Sequence, residues 1–183
     1  MTALPTRKMT VDEFLAWGEE QPGRYELVAG EVAAMAPEQV RHARTKFAVQ
    51  NAFARAIERA GVGCEVFPDG MTVRIEKRTA YEPDALVRCG LPLPEDALEV
   101  PDPMIVVEVL SPSTSRHETG TKLAGYLGVP SVQQHLIVDP IQRVIIHHRR
   151  TADIIETRIA RDGALSLDPP GMELLLDGLF REA

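Results

Sequence analysis

Long apolar runs are missing from this sequence. No stretch approaches the roughly 18 apolar residues of a membrane span, and the N-terminal "MTALPTRKMTVDEF" has no apolar signal-peptide core. A membrane role is therefore not expected. Cysteine is scarce: Cys64 and Cys89 are the only two, in different segments and without metal-ligand spacing. The expectation is two buried or half-buried free thiols in a reducing compartment, and hence a cytoplasmic protein. Positive charge is the third deficit. The chain carries 20 Lys and Arg against 27 Asp and Glu, for a net charge of −7. That argues against coating nucleic acid through a broad basic surface. A nuclease with a local basic patch stays open, because a hard metal ion can supply positive charge at its site.

What is present fits one domain over 1–183 with a sizeable core. Thr10-Val11-Asp12-Glu13 has the form of a capping box, which predicts a short helix over "VDEFLAWGEE". "RYELVAGEVAAM" reads as a hairpin turning at Ala29-Gly30. From Val40 to Ala60 the pattern is helical, ended by Gly61 and Gly63. At about 100° per residue, Ala43, Phe47, Phe53, Ala54 and Ile57 gather on one side, with Arg41, Arg44, Arg55 and Arg59 opposite. His42 and Lys46 sit toward the apolar side.

"CEVF", "MTVRIE" and "YEPDALVR" then read as three strands. A second capping pattern, Ser115 to Glu118, predicts a helix over about 116–127, closed by Gly128 with Pro130 beyond. "QHLIVD" and "RVIIHHRR" are further strands, and "DIIETRIA" and "ALSLD" are expected to extend the sheet. The order predicts a mixed α/β or α+β domain with a central sheet. The main core is expected over roughly 40–150, preceded by a helix and hairpin and followed by a C-terminal β extension.

One acid breaks the pattern. In "PMIVVEVLSPST", Glu108 alternates with apolar residues on a strand whose two faces both look buried. An ionised carboxylate costs several kcal/mol to desolvate uncompensated, on the order of what a paired or metal-bound state restores. Glu108 is thus a structural ion pair, a strand end that reaches solvent, or a functional carboxylate. Asp84, in "YEPDALVR", follows Pro83, which cannot donate to a ladder, so this is an edge, a bulge or a strand start. Pro-Asp is also a common turn dipeptide. Its weight comes from pairing with Glu108 across a loop of about fifteen residues. Two converging carboxylates repel unless a cation lies between them, and oxygen ligands suit Mg2+ or Mn2+. Glu118, Lys122 and Tyr126 are four apart on the following helix. Glu118 with Lys122 makes an ordinary surface pair; alternatively, Lys122 reaches over the strand end to orient a water or steady phosphorane charge. His147 and His148 alternate across a strand and read as structural.

"YELVAGEV", His42, "EPDALV", "IVVEVLSPST" and "TGTKLAGYLGVPSVQQHLIVDP" together resemble the bacterial "putative restriction endonuclease" family of the PD-(D/E)XK nuclease superfamily, over roughly residues 8–150. The resemblance implies a restriction-endonuclease-like fold: a mixed central β-sheet flanked by helices, with metal at the ends of two adjacent strands. It matches Asp84 and Glu108 to the two acidic positions and the Val109 carbonyl to an added metal ligand. The usual lysine two residues after the glutamate is Leu110 here, and Lys122 stands in from the next helix. Tyr126 is similar to an accessory tyrosine of some nuclease branches. Glu26 matches a position that would complete the metal shell, and is otherwise a strand-face carboxylate. His42 would contact phosphate or a metal water, and is otherwise a satisfied helix histidine.

The implied activity is Mg2+- or Mn2+-dependent hydrolysis of DNA phosphodiester bonds, with Arg41 and Arg44 along the DNA backbone or simply solvated. A homodimer is expected to shape the DNA channel. The rivals are a nuclease-fold binding or structural module without catalysis, and a hydrolase of another phosphoester.

Overall fold

The computed structural model describes residues 4–111 and 116–180, without the side chains of 116–118. The second capping pattern, Ser115 to Glu118, falls outside what is described. Thr10 opens α1 (Val11–Gly18) with a reciprocal box. Its hydroxyl accepts from the Glu13 amide, and Glu13 Oε2 accepts from the Thr10 amide at 2.8 Å. β1 (Tyr25–Val28) and β2 (Glu31–Ala34) form the hairpin, with Ala29 and Gly30 at φ 50° and 87°. Positive φ at both central residues matches the strand twist.

α2 (Val40–Ala60) ends at Gly61 in the left-handed conformation. Its apolar stripe departs from expectation. Phe53 is buried and Ile57 half-buried, but Ala43, Phe47 and Ala54 face outward, and Phe47 is 69% exposed. The buried side is Thr45, Lys46, Val49, Phe53 and Ala56. Hydropathy misplaces the stripe by about 100°, one residue. The reason is Lys46, which turns inward because its ammonium has carboxylates waiting there. Arg41, Arg44, Arg55 and Arg59 are exposed, as the periodicity predicts.

The next elements are β3 (Cys64–Pro68), β4 (Val73–Glu76), β5 (Thr79–Tyr81), β6 (Ala85–Cys89) and β7 (Ile105–Val109). α3 (Arg116–Gly128), β8 (Gln134–Asp139), β9 (Val144–Arg150), β10 (Ile155–Ala160), β11 (Ala164–Leu167) and β12 (Met172–Leu175) complete the chain. The central sheet has the order β10-β9-β8-β7-β6-β3. Only β7 and β8 run parallel in it, linked through α3. A smaller sheet has the order β2-β1-β5-β4.

Three further expectations are corrected. "YEPDALVR" is two strands, not one. The ladder breaks at Glu82-Pro83, where proline offers no N–H, so β5 joins the small sheet and β6 the central one. "ALSLD" does not extend the central sheet. β11 pairs with β12 in a separate hairpin, and Leu165, Leu167, Met172 and Leu174 close the same core as α2. Cys64 and Cys89 are not free thiols. The β3–β6 register sets them directly opposite, with Cα atoms 3.9 Å apart, and they form a disulfide. A separation of 25 residues in sequence gives no sign of that pairing. The cysteines therefore no longer speak for a reducing compartment.

The core lies on both faces of the central sheet. Val49, Phe53 and Ala56 of α2 cover Ala85, Val87, Ile105, Val107 and Leu136 on one face. Burying a side chain such as Phe53 contributes about 2–3 kcal/mol. On the other face, Tyr126 of α3 packs with Tyr81, Leu86 and Val106. That contact is close because α3 carries Gly125: a Cβ there would lie 2.8 Å from Tyr81 Cε2. The Tyr81 ring is held edge-on against Tyr126, with centroids 5.5 Å apart, and cannot swing aside cheaply. Gly125→Val is expected to destabilise the protein by about 2–3 kcal/mol through overpacking. Denaturant unfolding checks this, and an unchanged midpoint would refute the close-packing argument.

Candidate active site

Asp84 sits where the two sheets part, one residue before β6. It is 5% exposed. Its amide donates to Val107 O at 3.0 Å, and its Oδ2 accepts from the Val109 amide at 2.7 Å. The carboxylate is thereby clamped to the C-terminal end of β7, the strand that carries Glu108.

α2 brings two basic side chains to the same place, and Glu38, just before the helix, joins them. His42 and Lys46 are four apart on one side of the helix, and Glu38 meets both. His42 Nε2 lies 2.8 Å from Val109 O and 3.5 Å from Asp84 Oδ2. A carbonyl only accepts, so Nε2 carries the hydrogen. Nδ1 is buried with no hydrogen-bond partner among the described residues, and Glu38 Oε2 is 3.8 Å away. Asp84 raises the His42 pKa above its ordinary value, and burial opposes that only in part.

Lys46 is 4% exposed and meets Glu38, Asp69 at 2.7 Å and Asp84 Oδ1 at 3.7 Å. Burial works against its charge, but these carboxylates outweigh it and raise its pKa. Arg24 joins Glu38 at 2.8 Å, Asp69 at 2.6 Å and Glu82 at 2.6 Å.

A second set meets on the α3 side. Lys122 Nζ lies 2.8 Å from Glu26 Oε1 and 3.3 Å from both Glu108 oxygens. It also stands over the Tyr81 ring, 5.7 Å from its centroid. The Tyr126 hydroxyl, fully buried, donates to Glu108 Oε1 at 2.7 Å. Glu26 Oε1 also accepts from the Glu82 amide at 3.0 Å. The Glu108 side chain is 16% exposed. Burial pushes its carboxyl up to about 7, helped by Asp84 and Glu26 and opposed by Lys122. Burial lowers the Lys122 pKa, but Glu108 and Glu26 prevail and hold it above the ordinary lysine value.

The structure thus gathers Asp84, Glu108, Val109, Lys122, Tyr126, Glu26 and His42 around one end of β7. Lys122 comes from the helix to the carboxylate that Leu110, in the sequence position of the usual lysine, cannot serve. Arg41 and Arg44 lie outside this cluster, exposed on the outer side of α2. Arg59 is occupied elsewhere, donating to Glu173 O at 3.1 Å. Glu38, Lys46, Asp69, Arg24 and Glu82 are site residues that sequence reasoning did not select. The spacing of Glu38, His42 and Lys46 was a usable signal, whereas Asp69 and Arg24 carry none, because their meeting is purely tertiary.

Some of these donors also lie close enough to share a metal ion. One ligand atom each from Glu38, His42 and Asp84 lie within 4.8 Å of one another. The uncommitted lone pair of a neutral His42 is on buried Nδ1. Two carboxylates and one imidazole can together hold a divalent ion.

A restriction-endonuclease-like fold with an acid-and-lysine site defines the broad class. Within it, residues 11–177 match the Uma2 family, "Putative restriction endonuclease", and the chain belongs to that family. It is 26% identical over 180 residues to the uncharacterized protein slr1290 of Synechocystis sp., covering 97% of this chain and 94% of that protein. It is 25% identical over 156 residues to the uncharacterized protein sll1609 of the same organism, covering 84% and 87%. In fold it is similar to a crystal structure described as a "putative nuclease belonging to DUF820" from Anabaena variabilis. The TM-score is 0.72 at 18% identity, over 94% of this chain and 97% of that one.

The raised Glu108 carboxyl sets a pH dependence for the metal-free protein. The folded state holds this proton more tightly than the unfolded chain does. The stability it contributes is full below about 4.5 and is lost as pH rises through about 7. The change is on the order of 3 kcal/mol. Glu108→Gln should remove that part of the dependence. Urea unfolding in EDTA at pH 5 and pH 8 measures it, and parallel profiles for both proteins would contradict it.

Proposed function

We propose that this protein is an endonuclease hydrolysing DNA phosphodiester bonds with Mg2+ or Mn2+. The observation that carries the reading is the convergence of Asp84, Glu108 and Lys122 at the C-terminal end of β7. Asp84, Glu108 and the Val109 carbonyl would hold the ion, with Glu26 and the Glu38–His42 pair completing its surroundings. A bound ion supplies an activated water and neutralises the non-bridging phosphate oxygens.

The chain's own residues do the rest. The Val109 amide fixes one Asp84 oxygen, and the Tyr126 hydroxyl fixes one Glu108 oxygen, so both carboxylates are oriented before any ligand arrives. Lys122 presents a permanent positive charge between Glu108 and Glu26, able to position a water or to stabilise charge on the phosphorane. His42 keeps the Val109 carbonyl aimed and offers a second nitrogen toward Glu38.

Single-turnover plasmid cleavage with Mg2+ or Mn2+ tests this. Asp84→Ala should abolish cleavage, and Lys122→Ala should slow it about 100-fold or more. No cleavage by clean protein under any metal, or full cleavage by Asp84→Ala, would sink the reading.

A second reading is a module of the nuclease fold without catalysis. Leu110 in the lysine position favours it, as does an ammonium already tied to two carboxylates. Titration calorimetry separates the two: a Mg2+ or Mn2+ site lost in Glu108→Gln supports the enzyme, and no metal binding supports the module.

A homodimer is part of the first reading. Val40 and Phe47, 67% and 69% exposed, leave an apolar strip on α2 for a second copy. Light scattering after size exclusion should give about twice the 20.2 kDa chain mass, and a monomer would remove this element.

A further inference from the structure

Beside the acid cluster lies a groove of ≈ 480 Å3 whose chemistry is the opposite. Arg41, Arg44, Thr45 and Ala48 form one wall along α2, and the β8–β9 turn, from Pro140 to Arg143, forms another. We propose that this groove is a phosphate-backbone subsite for the nucleic acid strand that enters the metal site. The inference rests on the nuclease reading and deepens it by adding Arg143 and fixing the strand's path.

Three observations support it. First, Arg41, Arg44 and Arg143 meet no carboxylate within ion-pair distance among the described residues, whereas Arg24, Lys46, Arg74 and Lys122 all do. In a chain of net charge −7, three unpaired guanidiniums on one groove amount to a local reversal of sign. Guanidinium forks suit phosphate oxygens.

Second, Arg143 occupies a costly backbone position. Its φ is 53°, in the left-handed region that glycine or asparagine fills more cheaply at the end of a tight hairpin turn. The turn is held by Asp139 Oδ1, which accepts from the Ile141 and Gln142 amides at 2.8 Å each. A side chain kept at such a position fits a binding role.

Third, the groove is contiguous with the site. Arg41 precedes His42 on α2. β8 runs parallel beside β7, with Val138 paired to Val109, so the turn after Asp139 emerges one strand over from the carbonyl that His42 contacts. A strand whose scissile phosphate lay at Asp84 and Glu108 would carry its next phosphates toward these arginines.

The test is anisotropy of a labelled DNA oligonucleotide, single-stranded and duplex, in EDTA and again in Ca2+, with a salt series. Arg44→Glu and Arg143→Glu should each weaken binding about tenfold and lower the salt slope by about 1. Arg78→Glu, an equal charge change at the β4–β5 turn, should have a much smaller effect. Circular dichroism confirms that each variant folds.

Absence of wild-type binding in both conditions overturns the proposal, and so do groove variants that bind no more weakly than Arg78→Glu. Weakened binding without cleavage under any metal leaves the subsite standing and removes the nuclease reading. Cleavage with groove variants unimpaired does the reverse.

Discussion

Carboxylates that converge in a half-buried site repel one another, and the architecture around β7 depends on how that repulsion is answered. Glu26, Glu38, Asp69, Asp84 and Glu108 are drawn together from five separate stretches of chain. Three cations stand among them. Lys46 and Arg24 bind the Glu38–Asp69 side, and Lys122 binds the Glu26–Glu108 side. Buried charges persist only with such partners. The balance is incomplete at Glu108, where burial outweighs Lys122 and holds the carboxyl near 7. A group in that condition has more to gain from a divalent ion than one already fully paired.

The same requirement explains features that look unrelated. α2 buries a lysine instead of a hydrophobic residue because its inner face must bring cations and His42 to Asp84. α3 carries Gly125 because a side chain there would hold the helix off Tyr81, and with it Lys122 and Tyr126. The break at Glu82-Pro83 lets Glu26, on the small sheet, and Glu108, on the central sheet, meet through one lysine. The site is thus a seam between two sheets, closed on one side by α2 and on the other by α3. On α2, one residue before His42, Arg41 begins a groove where the surrounding charge changes sign.

Much of the local structure was legible in sequence. The capping box at Thr10, the Ala29-Gly30 turn, the limits of α2 and the strands at 105–109 and 134–139 follow from spacing and turn chemistry. These are short-range effects, complete within a few residues. Glu108 was conspicuous because an acid in a run of β-branched residues conflicts with its own strand. Asp84 was legible only as its partner, and Lys122 only as one member of a helix face. The free-thiol reading of Cys64 and Cys89 and the phase of α2 failed together for one reason. Each depends on what lies opposite, and local pattern carries no register between distant segments.

The sequence by itself determined the elements, the class of fold and the identity of the main acids, because hydrophobic periodicity, proline and buried charge are written residue by residue. The tertiary structure alone decided which charges meet: that Lys122 spans Glu108 and Glu26, that His42 takes the Val109 carbonyl, and that Glu38 and Asp69 share Lys46. Coulomb interactions and hydrogen bonds act over a few ångströms in space, whatever the separation along the chain. Only folding turns residues 26, 84, 108 and 122 into one site.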